Sequence, residues 1–267
     1  MADKTGSISI RDGVPVRWVR PSSQGVAAQV EECFALNRTC GSDTVVAIHN
    51  LPNQAHWFAK RLNGCFQSIE EVESRDLMKH CGLLEDSSGL ARASRVVVAA
   101  CNCMVRIPPP LQAIRAALKR GGLPQRGKAA SACPALLTAL ESAATDGDFA
   151  RVAECLDIIA RMPGVVLFRR ELLGDISRTC RLHDMASGST LRRTAWKVRD
   201  SARRYGRHLP QRVVARTLLI KGLEFDHAVV LDADGVADAK NLYVALTRAS
   251  KSLTVVSKSP SLACVLR

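Results

Sequence analysis

Over about the first sixty residues, the spacing of apolar positions is strand-like and helix-like in turn. Residues 15–20 alternate in the manner of a strand, and residues 44–49 form a short apolar run typical of a buried strand. Residues 25–37 and 54–62 carry apolar side chains at helical spacing. A strand, a helix, a strand and a helix in this order predict a βαβ unit and a parallel sheet.

The pattern changes to helical segments with short breaks between residues 67 and 210. The breaks fall at a triple proline, residues 108–110, at Gly121-Gly122 and at Ser187-Gly-Ser189. The spacing predicts helices over residues 69–80, 111–120, 134–145, 149–161 and 190–205. The fourth of these has the clearest apolar face, formed by Val152, Cys155, Leu156 and Ile159.

Strand-like patterns return after residue 211, over residues 213–220, 227–231 and 253–256, with a helical pattern over 240–249. The simplest architecture is an α/β fold with one parallel-sheet lobe formed by both chain ends. Residues 1–66 and 211–267 would build this lobe, and residues 67–210 would be a mainly helical insertion.

The net charge, the cysteines and the lack of long apolar runs indicate which classes of protein fit this chain. A formal net charge of +13 over 267 residues predicts an acidic partner, of which nucleic acid is the simplest, although a soluble basic protein of another kind also has such a charge. The ten cysteines form no Cys-x-x-Cys pair, so we expect no metal site. The N-terminus lacks the apolar segment of a signal peptide, and no apolar run is long enough to span a membrane. We therefore expect a cytoplasmic protein with reduced thiols.

Two short motifs carry the most specific information. The first is Lys221-Gly-Leu-Glu-Phe-Asp226, and the second is Tyr243-Val-Ala-Leu-Thr-Arg-Ala249. The pair resembles motifs V and VI of the UvrD/Rep-like superfamily I DNA helicases, which lie in the second of two RecA-like lobes. The resemblance extends to the organisation, because a mainly helical subdomain interrupts that lobe in the family, between motifs IV and V.

The resemblance implies a role for each motif in binding ATP with Mg²⁺, most of which the first lobe would hold. Arg248 would reach the γ-phosphate as an arginine finger and stabilise the charge of the transition state. Nucleotide contacts would come from Lys221, Gly222, Glu224 and Thr247, with Glu224 on the ribose. The alternatives are a surface salt bridge for Arg248, a simple turn at Gly222 and a solvated Glu224.

The chain departs from the family pattern at three places. Leu218 and Ile220 replace a frequent His and a small residue before motif V, which weakens the case for DNA contact and favours a strand. We expect Thr217 to serve as a substitute polar contact to DNA. The motif IV arginine, a further γ-phosphate contact, corresponds to Asn50 after the second strand, and an uncharged side chain cannot replace that contact.

A phosphate-binding loop is expected in a helicase ATPase, and one stretch, residues 122–129, nearly fits. Ala129 follows Lys128 where a hydroxyl should bind Mg²⁺, a basic helix precedes the loop in place of a strand, and the loop lies in the helical insertion. No strand ending in Asp-Glu precedes residue 213. We therefore expect the first lobe to be absent, as in a truncated gene, an expression fragment or a split subunit with a separate first-lobe polypeptide, and the chain to be inactive alone.

Residues 178–216 contain eleven Arg or Lys against two acidic residues. A helix over 190–205 would place an apolar stripe inward, made of Leu191, Ala195, Val198, Ala202 and Tyr205, with the cations on the other faces. The predicted contacts to DNA, single-stranded or at a duplex junction, are Arg192, Arg193, Lys197, Arg203 and Arg204. Trp196 would stack on a base. The alternative is a solvated basic helix with Trp196 covered by a neighbouring segment.

Two hypotheses follow. The first is the second motor lobe of an ATP-dependent UvrD-like DNA helicase, which supplies Arg248 to a nucleotide held by a first lobe. The second is a non-catalytic nucleic-acid-binding module derived from such a helicase. The loss of the motif IV arginine and of the His before motif V favours the second hypothesis.

Overall fold

The computed structural model describes residues 13–21, 26–71, 75–183, 188–205, 209–236 and 238–262, without the side chains of Pro52, Arg203 and Tyr205. The chain divides into two compact units. The sheet unit comprises Met1–Ile69 and His208–Arg267, and the helical unit comprises Glu70–Arg207. The segments that we predicted for the lobe, 1–66 and 211–267, both fall in the sheet unit.

The elements of the sheet unit come from both ends of the chain. Before the helical unit they are β1 (Val16–Val19), α1 (Ala27–Thr39), β2 (Val45–Ile48), α2 (Pro52–Arg61) and β3 (Gln67–Ser68). The helical unit contains α3 (Arg75–Glu85), α4 (Gly89–Asn102), α5 (Pro109–Lys119), α6 (Lys128–Ala132), α7 (Pro134–Thr145), α8 (Phe149–Arg161), α9 (Arg170–Leu182) and α10 (Leu191–Tyr205). The sheet unit then continues with β4 (Arg212–Ala215), a 3₁₀ turn (Thr217–Ile220), β5 (Phe225–Val230), α11 (Ala239–Leu246) and β6 (Ala249–Val256).

Six parallel strands form one sheet in the order β1-β6-β5-β2-β4-β3. The central strand β2 is apolar throughout, and each of its residues is at most 1% exposed. Such runs are typical of parallel strands because both faces of the sheet are covered. The predicted α/β class is therefore confirmed, and the arrangement is consistent with a RecA-like lobe that a helical insertion interrupts.

Apolar side chains of the strands and of α11 form the core of the sheet unit. Val46 and Ile48 of β2 pack in one cluster with Ala228 and Val230 of β5 and with Leu242 of α11. Burial of this kind contributes about 25 cal/mol per Å² of apolar surface. The sheet is thus a rigid base for the loops at its edges.

The helical unit has its own core. The predicted face of α8 is confirmed, because Val152, Cys155, Leu156 and Ile159 are all fully buried. Asp148 caps this helix by accepting a hydrogen bond of 2.8 Å from the amide of Ala150. Within the described part of the chain, no helix is both long and apolar enough to cross a membrane.

The predicted strand over residues 213–220 is wrong beyond β4. The chain leaves the sheet after Ala215, and Leu218 in the 3₁₀ turn is 66% exposed. The reason is topological. Parallel strands begin at one edge of the sheet and end at the other, so the segment after β4 must travel back to the start of β5.

Three helices and one short strand of the described residues were not predicted, namely α4, α6, α9 and β3. The helix predicted over 69–80 begins only at Arg75, because the amide of Ile69 bonds Val214 in the sheet (3.1 Å). The helix predicted over 240–249 spans Ala239–Leu246, and Asp238 caps its start by accepting from the amide of Lys240.

Candidate functional site

The two motifs meet at the edge of the sheet where β5 and β6 begin. The turn of residues 221–224 precedes β5, and Arg248 immediately precedes β6. The turn is closed by a hydrogen bond of 3.0 Å from the amide of Leu223 to the carbonyl of Ile220. Gly222 has a φ of +84°, a left-handed conformation that a residue with a side chain adopts only with strain. The glycine is therefore required by the turn itself.

Arg248 joins this turn to the end of α11. Its Nη1 donates to the carbonyl of Leu223 and its Nε to the carbonyl of Val244, both at 2.8 Å. Nη2 donates to Oγ1 of Thr247, also at 2.8 Å. Arginine has five N–H donors, so the second N–H of Nη1 and that of Nη2 remain for an anion. The side chain is half-buried, and the bonds fix the guanidinium at the sheet edge.

The other predicted nucleotide contacts surround Arg248 and differ in their accessibility. Lys221, Gly222 and Glu224 are exposed. The hydroxyl of Thr247 donates to the carbonyl of Tyr243 at 2.8 Å, so this residue supports Arg248 from the last turn of the helix. The structure thus brings together all five residues that the resemblance assigns to nucleotide contact.

A charged network at the same edge was missed by the sequence analysis. Asp226 accepts hydrogen bonds of 2.8 Å from both the amide and the hydroxyl of Thr44. Lys251 lies 3.0 Å from Asp226 and 2.8 Å from Asp43. His227 Nδ1 is 2.7 Å from the hydroxyl of Ser252 on the neighbouring strand. The network connects the starts of β2, β5 and β6.

Hydrogen bonds to the charged carboxylates lower two pKa values in this network. The amide of Thr44, then Lys251 and the Thr44 hydroxyl, lower the pKa of Asp226 to about 2. Lys251 and His227 also lower the pKa of Asp43. Both carboxylates are therefore ionised at neutral pH and are bound within the network.

Substitution of Asp226 by asparagine is expected to lower stability at neutral pH. Stability of the variant should also change less with pH in the acid range. The pKa of this carboxyl group is about 4 in the unfolded chain and about 2 in the folded protein. The ionised group therefore stabilises the fold at a pH above about 4, and this stabilisation is lost as the pH falls through about 2. Melting temperatures of the wild type and of Asp226→Asn should converge between pH 4 and pH 2. A constant difference down to pH 2 would contradict this role; Asp234→Asn, at an exposed carboxylate, is the control.

Asn50 lies at the opposite edge of the sheet from Arg248. It follows the end of β2, whereas Arg248 precedes β6, and the register pairs Val45 of β2 with His227 and His227 with Ser252. A rise of about 3.3 Å per residue separates Asn50 and Arg248 by about 25 Å along the strands. The position that we assigned to motif IV is therefore not part of the site around Arg248.

Thr217 is turned into the sheet unit. Its side chain is 2% exposed, and its hydroxyl bonds Oδ1 of Asn241 on α11 at 3.2 Å. It holds the 3₁₀ turn against the helix. Because its hydroxyl is buried, the predicted contact between Thr217 and DNA is wrong.

The basic helix α10 presents most of its cations to solvent. Arg192, Arg193, Lys197 and Arg204 are exposed, whereas the side chain of Arg203 lies outside the described residues. Two of these cations are paired, Arg192 with Asp86 and Arg204 with Asp200, both at 2.8 Å. Trp196 is 53% exposed, which excludes the alternative of a covered indole. The face is thus a basic surface with one accessible aromatic ring.

Arg199 differs from the other arginines of α10. It is 2% exposed, and its Nη1 contacts Glu171 (2.8 Å) and Asp175 (2.7 Å) on α9. Its Nη2 donates to the backbone carbonyl of Glu71 at 2.6 Å. This residue contributes to the packing of the helical unit and not to the basic surface.

The stretch that nearly matches a phosphate loop, residues 122–129, follows helix α5 and leads into the short helix α6. A phosphate loop needs a strand before it, because the strand holds the backbone amides in a cradle. In the described part of the helical unit this stretch has no such strand, so the location of Lys128 does not support phosphate binding.

The cysteines offer little reactivity. All nine in the described residues have free thiols, and eight of them are buried. Burial raises the pKa to about 12 for Cys33, Cys81, Cys103 and Cys155. Because the thiolate is the nucleophile, these buried side chains act as small apolar residues.

Comparison with known proteins gives no further assignment: no protein-family model matches the chain, and no curated protein matches it.

Proposed function

We propose that the chain is the second motor lobe of an ATP-dependent DNA helicase of the UvrD/Rep-like type, acting in the cytoplasm. The observation that carries this proposal is the bond from Arg248 to the carbonyl of Leu223. It links the arginine of one motif to the turn of the other at a single sheet edge. In this role the lobe supplies Arg248 to a nucleotide whose phosphates a first lobe holds.

The chemistry of the sheet edge fits a phosphate contact better than a Mg²⁺ site. Lys221 and Arg248 are cationic, and the turn at Gly222 leaves the backbone exposed. The nearby carboxylates of Asp43 and Asp226 are both bound by Lys251, so they are poor ligands for a metal ion. Mg²⁺, which neutralises phosphate charge in such reactions, would therefore be held by the first lobe.

Movement of Arg248 is part of this role. An arginine finger must place its planar donors on phosphate oxygens. Its present bonds to two backbone carbonyls hold the side chain near the turn, and the remaining N–H groups on Nη1 and Nη2 allow a first contact with an anion. A bound nucleotide would then compete with the carbonyls of Leu223 and Val244 for the N–H groups of Arg248.

The test is a titration of the purified chain with MgATP, followed in ¹H–¹⁵N spectra. We expect the amide signals of residues 221–224 and 247–249 to shift, with negligible ATP turnover. Signals at this edge that stay unmoved both in the isolated chain and in a complex with a first lobe that carries a phosphate-binding loop would contradict the proposal. Turnover that disappears in Lys128→Ala would also contradict it, because the activity would then come from the stretch 122–129.

A non-catalytic nucleic-acid-binding module is the second candidate, and the exposure of Trp196 beside Arg193 and Lys197 favours it. In this case MgATP leaves the spectra unchanged while a single-stranded oligonucleotide binds. Both candidates require binding that weakens steeply with salt, since phosphate contacts release counterions. The MgATP titration therefore separates them.

A further inference from the structure

A surface pocket of about 290 Å³ lies in the helical unit, lined by residues of α9 and α10 and by Ser189, which precedes α10. From α9 it receives Arg178 and Leu182. From α10 it receives a set of side chains at helical spacing, which is one face of that helix: Thr194, Lys197, Val198 and Ser201. The residues of the pocket belong to the helical unit, whereas Arg248 belongs to the sheet unit.

The described side chains that line this pocket include two cations and no carboxylate. Arg178 and Lys197 are both exposed, and in the described residues neither forms an ion pair with a carboxylate. The three carboxylates of α9 and α10 have other partners. Glu171 and Asp175 bind Arg199, and Asp200 binds Arg204. Among the described residues of α9 and α10, an anion in the pocket thus meets two cations and no carboxylate that lacks another partner.

The rest of the lining is suited to a sugar. Ser201 adds a half-buried hydroxyl, and Leu182 presents an apolar side chain that is 58% exposed. The volume is at the lower limit of ligand pockets, about 300 Å³, which fits one small unit and not a large ligand. Cations beside hydroxyl and apolar groups match a phosphate that is attached to a sugar.

We propose that this pocket binds the phosphate and sugar of one nucleotide. The inference deepens the nucleic-acid contact of α10 and rests on that part of the proposed function. The nucleotide comes either from a single strand that crosses α10 or from a free mononucleotide, and the two sources share the same phosphate chemistry.

Charge-removing variants test the pocket directly. Arg178→Gln with Lys197→Gln should weaken the binding of a fluorescent oligo(dT) twelve-mer about tenfold at 0.1 M salt. The slope of log affinity against log salt should fall by about 0.7, the value for one phosphate contact on a single strand. The control is Lys119→Gln with Arg120→Gln, which removes equal charge from exposed positions of the same unit. Equal losses in both variants would overturn the pocket.

A second pair of variants changes an exposed leucine to a carboxylate. Leu182→Asp places negative charge at the pocket and should weaken binding at least fivefold. Leu90→Asp alters a leucine that is 38% exposed on α4 and should change binding less than twofold. Because both side chains are exposed, neither change removes core packing. Unchanged binding in Leu182→Asp would overturn the proposal.

Spectra with thymidine monophosphate and with inorganic phosphate identify the source. Shifts at Thr194 and Ser201 with the mononucleotide support a free nucleotide, and shifts with the twelve-mer alone support a strand. If none of these probes shifts the signals of the pocket residues, the proposed pocket is wrong. If the wild type binds no twelve-mer, the nucleic-acid contact of α10 fails, while shifts with the mononucleotide still support the pocket. If Arg193→Gln and Trp196→Ala weaken binding of the twelve-mer and the pocket variants do not, the proposed pocket is wrong. The proposed contact between α10 and nucleic acid is then still supported.

Discussion

Replacement of Arg169 by alanine is expected to lower the free energy of unfolding of the helical unit by about 3–5 kcal/mol. Nε of Arg169 donates to Glu70 Oε1 at 2.7 Å, and Nη2 donates to Glu70 Oε2 at 2.5 Å and to Asp76 at 2.7 Å. The side chain of Glu70 is only 3% exposed. Removal of the arginine leaves this carboxylate buried and without its compensating charge.

The pH dependence of the Arg169→Ala variant provides an independent check. Burial raises the pKa of Glu70, and the hydrogen bonds from Arg169 oppose that rise. Without the arginine the pKa should rise further, so the folded state takes up a proton more readily than the unfolded state. Stability of the variant should therefore recover as the pH falls and decline as the pH rises through the folded pKa.

Chemical denaturation of the two proteins measures this effect, with Arg170→Ala as the matched control. Arg170 is the next residue in the chain and is exposed, so its loss should change stability by less than about 0.5 kcal/mol. Replacement of the pair together, Glu70→Leu with Arg169→Met, should cost less than Arg169→Ala because no buried charge remains. Equal stability of Arg169→Ala and Arg170→Ala would contradict this account of the ion pair.

Arg248→Ala is expected to reduce ATP turnover by about 10³–10⁵-fold in a complex with a first lobe that carries a phosphate-binding loop. The reason is the loss of the planar cation that contacts the γ-phosphate in the transition state. Arg248→Lys should recover little of the rate, because an ammonium cannot form two parallel bonds to phosphate. Arg38→Ala, at an exposed arginine of α1, is the control.

The same substitution also removes structural bonds, and the measurement must separate the two effects. Loss of the donors to Leu223 and Val244 leaves two carbonyl groups without these partners, which costs about 1–3 kcal/mol for each that is buried. A role in catalysis lowers kcat per folded molecule while KM changes little, whatever the decrease in melting temperature. A decrease in turnover that follows the decrease in folded protein, or normal turnover, would contradict the finger role.

The parts of the fold that sequence predicted are those with a strong local pattern. The run of β2 has the uniform burial of a parallel strand, and α8 repeats its apolar residues at helical spacing. By contrast, α4 contains Val96-Val-Val98, a β-branched run that favours a strand, and its helix depends on packing against α7 and α8. In α9 the apolar stripe includes Ser177 and Thr179, two buried polar residues that hide the periodicity.

The site was predictable only where residues close in sequence carry the chemistry. Gly222 and Arg248 were named from their motifs, but their connection through Leu223 depends on the neighbouring strands β5 and β6. The bonds between Asp226 and Thr44 join residues 182 positions apart, so no local pattern indicates them. Arg199 was expected on the surface because arginine is almost never buried unless it is paired. Its partners on α9 explain the exception.

The order of strands in the sheet has a consequence for how the protein folds during synthesis. β1 lies against β6, which follows the other described strands in the chain, and β2 lies between β4 and β5, which follow the entire helical unit. The contacts within the helical unit are closer in sequence, so that unit should fold first. Until the ribosome has released the C-terminal strands, the apolar β2 remains without its neighbours. In the nascent chain β1 and β2 are therefore the strands that we expect to be most exposed to aggregation.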